Sequence, residues 1–194
     1  MLPLELWYHI IDMMPLQDQL LYGSRVCSTW RNYILSKKKL DLTSALQAEI
    51  PIKLLLLFDK NKVEELIIEK LILKPDILSK LFIKYDKINK LSLSYIESYW
   101  TVYQNLSNFK ELKYLDATGT TNISWWSFSG LASNYNNLEV LILKNHYYLL
   151  KKQLIWLLVI FKNLKFLDIR GCFDNKAEVV PVIKIYEKKL KILY

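Results

Sequence analysis

Glycine, proline, cysteine and histidine are all scarce in this chain: four, five, two and two residues in 194. Four scattered glycines cannot build a glycine-rich phosphate loop. Cys27 and Cys172 suggest neither a disulfide framework nor a metal site. His9 and His146 fall in segments of different texture, with no Ser or Cys nucleophile pattern beside either, so no catalytic constellation is visible. No basic stretch followed by an apolar one marks a signal peptide. The longest apolar run, LIWLLVIF at 154–161, has eight residues, against the ~20 needed to cross a bilayer. These absences predict a non-catalytic protein of the cytoplasm, the nucleus or both, without cofactor, metal or membrane partner.

Arginine is also rare. Of 27 basic residues only three are Arg, and the formal charge is +8. The first 36 residues carry two Arg against three acids, which leaves +9 for the remainder. The lysines are scattered, with KKK at 37–39 the only run of three. They form no stripe of the kind that tracks a phosphate backbone, so nucleic acid is not the expected partner. Solvated helix and turn faces account for most of them.

What the chain does have is a recurring phrase. VEELII begins at Val63, INKLSL at Ile88, LKYLDA at Leu112, LEVLIL at Leu138, LKFLDI at Leu164 and LKILY at Leu190. Numbering each phrase with apolar residues at positions 1, 4 and 6 puts Leu66, Leu91, Leu115, Leu141, Leu167 and Leu193 at position 4. KKKLDL adds Leu40 upstream, with Lys37 at the position where an apolar residue is expected. Tyr85, Phe109, Tyr135 and Phe161 precede position 1 by three residues in successive units. A period of 24–26 residues with this strand pattern resembles the leucine-rich repeat, and LDIRGC, ending at Cys172, resembles the strand of its cysteine-containing type.

Side chains alternate along a strand, so positions 4 and 6 are expected inside and 3, 5 and 7 outside. Helical spacing follows each strand. Pro75 and Asp76 suit the first turn of a helix carrying Ile77, Leu78, Leu81, Phe82 and Tyr85. Ser124 is a candidate N-cap for Phe128, Leu131, Ala132 and Tyr135. Leu150, Leu154, Leu157, Leu158 and Phe161 repeat the pattern. The resemblance implies an α/β fold over residues 37–194: a right-handed solenoid of about six to seven repeats, with a parallel concave sheet and outer helices.

Residues 1–36 read differently. Leu6, Ile10 and Met14 recur at four-residue steps, and Leu20, Leu21, Val26, Trp30 and Ile34 continue the helical spacing, punctuated by Pro15 and Gly23. Such a short helical motif needs its core completed from outside, because chains below ~40 residues rarely fold alone. Leu2-Pro3, Glu5, Ile10, Asp18, Val26-Cys27 and Trp30 fall in the order of the F-box pattern, and this segment resembles an F-box. The stretch from Asp18 to Val26 is one residue longer than the usual pattern. The resemblance implies docking to a Skp-type linker subunit, and through it to a cullin scaffold, with contacts on Leu2, Pro3, Leu6, Ile10, Leu20, Val26, Cys27 and Trp30. An F-box followed by leucine-rich repeats implies an adaptor that presents an unknown protein substrate to an SCF-type ubiquitin ligase. The alternative is a leucine-rich-repeat scaffold or inhibitor that no longer engages a ligase.

For the substrate, the outward positions and following loops nominate Tyr114, Asp116, Thr118, Val140, Ile142, Lys144, His146, Tyr147, Phe166, Asp168 and Arg170, with Tyr148 beside them. Glu64, Glu65 and Glu69 form an expected carboxylate cluster near the N-terminal motif. Trp100 and Trp126 each lie nine residues before an aromatic of the repeat, so they are expected to stack, either as packing between helices or as an exposed binding patch. The last phrase ends the sequence inside a strand. A truncated relative of longer proteins or a partner covering the last strand are the two expectations there.

Overall fold

The computed structural model describes residues 3–47, 51–70, 72, 75–97, 105–120, 137–147 and 149–194. The expected helix at 124–135, Trp100, Trp126 and Tyr148 lie outside them, as does Leu2.

Three short helices open the chain: α1 (Leu4–Met13), α2 (Leu16–Leu21) and α3 (Ser28–Leu35). Prolines set two of the boundaries. Pro3 and Pro15 immediately precede α1 and α2, where a fixed φ and a missing N–H cost the helix nothing. At α3 the cap is Cys27, whose sulfur accepts the Trp30 N–H at 3.5 Å.

Seven three-residue strands follow: β1 (Lys39–Asp41), β2 (Glu65–Ile67), β3 (Lys90–Ser92), β4 (Tyr114–Asp116), β5 (Val140–Ile142), β6 (Phe166–Asp168) and β7 (Lys191–Leu193). They make one sheet, all parallel and in chain order. Between them the described helices are α4 (Thr43–Gln47), α5 (Ile52–Leu55), α6 (Pro75–Lys84), α7 (Lys151–Ile160) and α8 (Val180–Tyr186). The architecture is therefore mixed α/β, with a parallel sheet beside the N-terminal helices.

Register follows the leucines. Leu40 faces Leu66, and Leu66, Leu91, Leu115, Leu141 and Leu167 align in turn across the sheet. All six are buried, as are the position-6 residues Leu42, Ile68, Leu93, Ala117, Leu143 and Ile169. The final unit departs from the sequence reading. Ile192, not Leu193, pairs with Leu167, because only Lys191 separates Leu190 from the inward residue, one fewer than in the other units. Ile192 is buried and Leu193 lies partly outside.

The helical faces match the spacing closely. Leu78, Leu81, Phe82 and Tyr85 are fully buried, and the Tyr85 hydroxyl donates to Leu55 O at 2.5 Å, a hydrogen bond that lets a polar tip enter the core. Phe109 meets Phe82 edge to face, with ring centroids 5.1 Å apart. Leu154, Leu157, Leu158 and Phe161 are buried, but Leu150 is half exposed. It sits at the helix entrance, outside the apolar stripe, where its N–H donates to Gln153 Oε1 at 2.7 Å.

The two parts share one core. Ile11, Leu20 and Ile34 belong to the same buried cluster as the strand leucines, and α2 packs on α4. At the junction Lys37 reaches Asp12 at 2.8 Å and Tyr33 donates to the same carboxylate at 2.6 Å. This explains the missing apolar residue at position 1 of the first phrase: its side chain faces the helices, not the space beneath the sheet.

Substitution of the last inward residue tests the register. Ile192→Ala is expected to cost about 2 kcal/mol or more as a core truncation. Leu193→Ala, partly in solvent, is expected to cost clearly less, nearer the ~0.5 kcal/mol of surface changes, both read as shifts in the denaturation midpoint.

Candidate functional site

Two surfaces stand out. The first is the N-terminal helices. On α1, Leu6, Ile10 and Met13 recur at i, i+4 and i+7, hence on one stripe, and all are well exposed, as are Leu4, Tyr22 and Val26. The opposite side of α1 is spent inside: Ile11 is buried, Tyr8 stacks on Tyr33 with centroids 3.9 Å apart, and Trp7 packs against Trp30 at 5.5 Å. Of the residues nominated for the linker, Pro3, Leu6, Ile10, Val26 and Cys27 are exposed. Leu20 is a correction: it is 4% exposed and faces α4 and the sheet core, so it has no surface to offer. Trp30 is half buried and holds α1 to α3. Leu4, Met13 and Tyr22 were not nominated; the four-residue steps led to Met14, which lies one residue past the end of α1, whereas Met13 at i+7 shares the stripe of Leu6 and Ile10.

Hydrogen bonds tune the polar rim of this module. Burial would raise the Asp12 carboxyl, but donation by Lys37 and Tyr33 outweighs it and holds Asp12 below its ordinary range. Burial and the facing Asp12 push the Tyr33 hydroxyl up to about 12. The junction is thus a charged lock, and the exposed stripe beside it is purely apolar.

The second surface is the open face of the sheet. Register places the position-3 residues Lys39, Glu65, Lys90, Tyr114, Val140, Phe166 and Lys191 in one row. Glu65 pairs with Lys90 at 3.5 Å, and the Lys90 ammonium lies 5.0 Å from the Tyr114 ring centre. Glu64 is taken by Lys38 at 2.7 Å, and Glu69 accepts from Ser92 at 3.0 Å. The expected carboxylate cluster near the N-terminal helices is therefore matched within the chain. Tyr114, Val140, Ile142 and Phe166 remain partly exposed, as does Lys144, while Arg170 is exposed and Tyr147 strongly so.

Several nominated residues belong instead to the strand exits. Asp116 accepts both the N–H and the hydroxyl of Thr118, at 2.9 and 2.7 Å. Asp168 accepts the Arg170 N–H at 3.1 Å and its guanidinium through Nε and Nη2. Asp41 closes the same turn on the Thr43 N–H at 3.0 Å. Thr118 and Asp168 are consequently buried, a correction to their reading as contact residues. Burial raises the Asp168 carboxyl, and the Arg170 hydrogen bonds more than reverse it.

Past these turns lie two ladders. At position 8 the backbone is left-handed in five successive units: Lys70, Tyr95, Gly119, Asn145 and Gly171. Their N–H groups extend the sheet ladder, for instance Tyr95 N–H to Thr118 O and Gly119 N–H to Lys144 O, both at 2.7 Å. The Tyr95 ring lies on the bare Cα of Gly119, where a Cβ would come within 2.5 Å of it, and its hydroxyl accepts from Asn145 Nδ2 at 3.1 Å. At position 9 three side chains meet the position-6 carbonyl of the preceding unit. Thr120 donates to Leu93 O at 2.6 Å, His146 Nε2 to Ala117 O at 2.6 Å, and Cys172 Sγ to Leu143 O at 2.9 Å. His146 is thereby a structural donor that remains partly exposed. Burial pushes the Cys172 thiol up to about 11.

His146 gives the fold a pH signature. Burial lowers its pKa, and the bond to Ala117 only partly restores it. Below the ordinary ~6.5 of an exposed imidazole, the unfolded chain takes up a proton that the folded one resists. Stability is therefore expected to fall as pH drops through that value. His146→Asn, which keeps a donor without titrating, is expected to flatten the slope between pH 7.5 and 5 in denaturation midpoints.

No helix among the described residues is long and apolar enough to cross a membrane. No curated protein matches the chain significantly. Residues 1–42, which span α1–α3 and β1, match the family model of the F-box domain. F-box domains bind Skp1-type linkers, which gives them a general role as adaptors of SCF-type ubiquitin ligases. The exposed apolar stripe of α1 thus stands on an F-box domain, and the chain carries that domain at its N-terminal end.

Proposed function

We propose that the chain is the substrate-recognition adaptor of an SCF-type ubiquitin ligase. Its F-box domain docks on a Skp-type linker, and its seven-stranded sheet is a leucine-rich-repeat solenoid that receives the protein to be modified. One observation carries the docking half: an F-box domain that keeps Leu4, Leu6, Ile10, Met13 and Val26 in solvent although its inner side is already packed. An apolar strip left exposed in this way marks a protein interface.

The repeat reading is supported by strand order, by the leucine register and by the position-9 donors Thr120, His146 and Cys172, which occupy the N/C place of the leucine-rich-repeat pattern. In this arrangement the chemistry of ubiquitin transfer belongs to other subunits, with a cullin as scaffold. The adaptor contributes by holding an acceptor near the reacting site, an effect of proximity.

Binding to purified Skp-type linker tests the docking half. Ile10→Asp and Val26→Asp, both at solvent-exposed positions, are expected to weaken binding by at least about tenfold with unchanged melting, since each buries a charge at an apolar contact. Trp30→Ala is expected to lower the melting temperature, because that side chain joins α1 to α3. Equal binding by the native chain and both Asp variants, or no binding at all, overturns the docking half.

A further inference from the structure

Resting on the reading of the open sheet face as the receiving surface, we infer that its occupant is a short, extended acidic segment. That segment carries an apolar side chain at its centre and lies across β4–β7. The first argument is how the face changes along the sheet. Over β2–β3 the outward carboxylates are engaged internally, Glu65 by Lys90 and Glu69 by Ser92. From β4 onward the character turns apolar. Tyr114 faces Val140 and Val140 faces Phe166 on adjoining strands, with Ile142 and Leu193 beside them, all partly exposed.

The second argument is charge. A cleft of about 510 Å³ at the strand-entry side is lined by Lys113, Lys162, Lys165 and Lys189, with Glu139 as its one acidic lining residue. Glu139 is already held by Lys165 at 2.7 Å. Lys191 lies 5.9 Å from the Phe166 ring centre, and Lys144 stands on the strand-exit side, where the Arg170 guanidinium is committed to Asp168. The face's own carboxylates are engaged within the chain, Asp116 by Thr118 and Asp168 by Arg170. A carboxylate arriving from outside meets the lysine-lined cleft on one side of the apolar strip and Lys144 on the other, whereas a basic segment is repelled by the cleft.

The third argument is size. From β4 to β7 there are three strand spacings of ~4.8 Å, roughly 14 Å in all, the reach of about four or five extended residues at ~3.3 Å each. A folded partner ordinarily covers ~800 Å², far more than this patch provides. A segment of chain fits it.

Selection of a random dodecapeptide library displayed on phage against the immobilised full chain tests the inference. Enriched peptides are expected to carry Asp or Glu on both sides of an aromatic or branched aliphatic residue. A synthetic peptide of the leading sequence is expected to bind at least about tenfold more weakly to Lys144→Glu/Lys191→Glu and to Val140→Asp. Basic or uncharged winners, no enrichment, unchanged binding to the variants, or displacement of the peptide by a single-stranded oligonucleotide would each overturn it. Linker binding, measured on the same preparations, separates the two readings. Peptide capture without linker binding leaves the inference standing and removes the ligase role, whereas linker binding without peptide capture does the reverse.

Discussion

The backbone ladder from Lys38 to Lys191 is the constraint from which the rest of the molecule follows. At each step an N–H of one unit donates to a carbonyl of the unit before it, as in Glu64 to Lys38, Asn89 to Glu64 and Lys191 to Lys165. A strand of three residues cannot satisfy its own polar groups, and no unit can bury its leucines alone. Both needs are met by stacking in register, which brings Leu40, Leu66, Leu91, Leu115, Leu141 and Leu167 into one buried column. The ladder then continues past the strands, through left-handed residues at position 8 and side-chain donors at position 9.

This constraint divides the residues outside the core into two kinds. Those at strand exits serve the ladder: Asp116, Thr118, Asp168 and His146 are tied to backbone or to a neighbour two residues away or one unit back. Those at position 3 are released from that duty and face outward, where Tyr114, Val140 and Phe166 form a continuous strip. The N-terminal helices obey the same economy. Ile11, Leu20 and Ile34 join the sheet's core, so the F-box domain is fixed to the parallel sheet while Leu6, Ile10 and Met13 stay exposed. On the proposed reading, a docking face and a receiving face on one continuous core would suit an adaptor, whose contribution is a fixed separation between two bound proteins.

The inward pattern was legible in the sequence because leucine at positions 1, 4 and 6 reports burial directly. The column of leucines, the helix at 75–84 and the buried aromatics Tyr85, Phe109 and Phe161 all follow from spacing. The outward pattern was less legible. An aspartate beside a strand reads alike whether it greets a partner or closes a turn, and only the Thr118 and Arg170 hydrogen bonds distinguish the two. The last unit slipped by one because Ile192 and Leu193 are equally apolar, leaving register to the backbone. The position-8 and position-9 ladders had a signal that went unread: Gly119, Asn145 and Gly171, then Thr120, His146 and Cys172, each recur at the spacing of the leucines.

The separation of the two faces is the claim on which the adaptor role depends, and hydrogen exchange on the full chain tests it directly. With saturating Skp-type linker, slowed exchange is expected in the segments spanning α1 to α3, while those spanning β4 to β7 exchange as in the free chain. Protection over β4–β7 with α1–α3 unchanged would contradict the assignment of the F-box helices as the docking face.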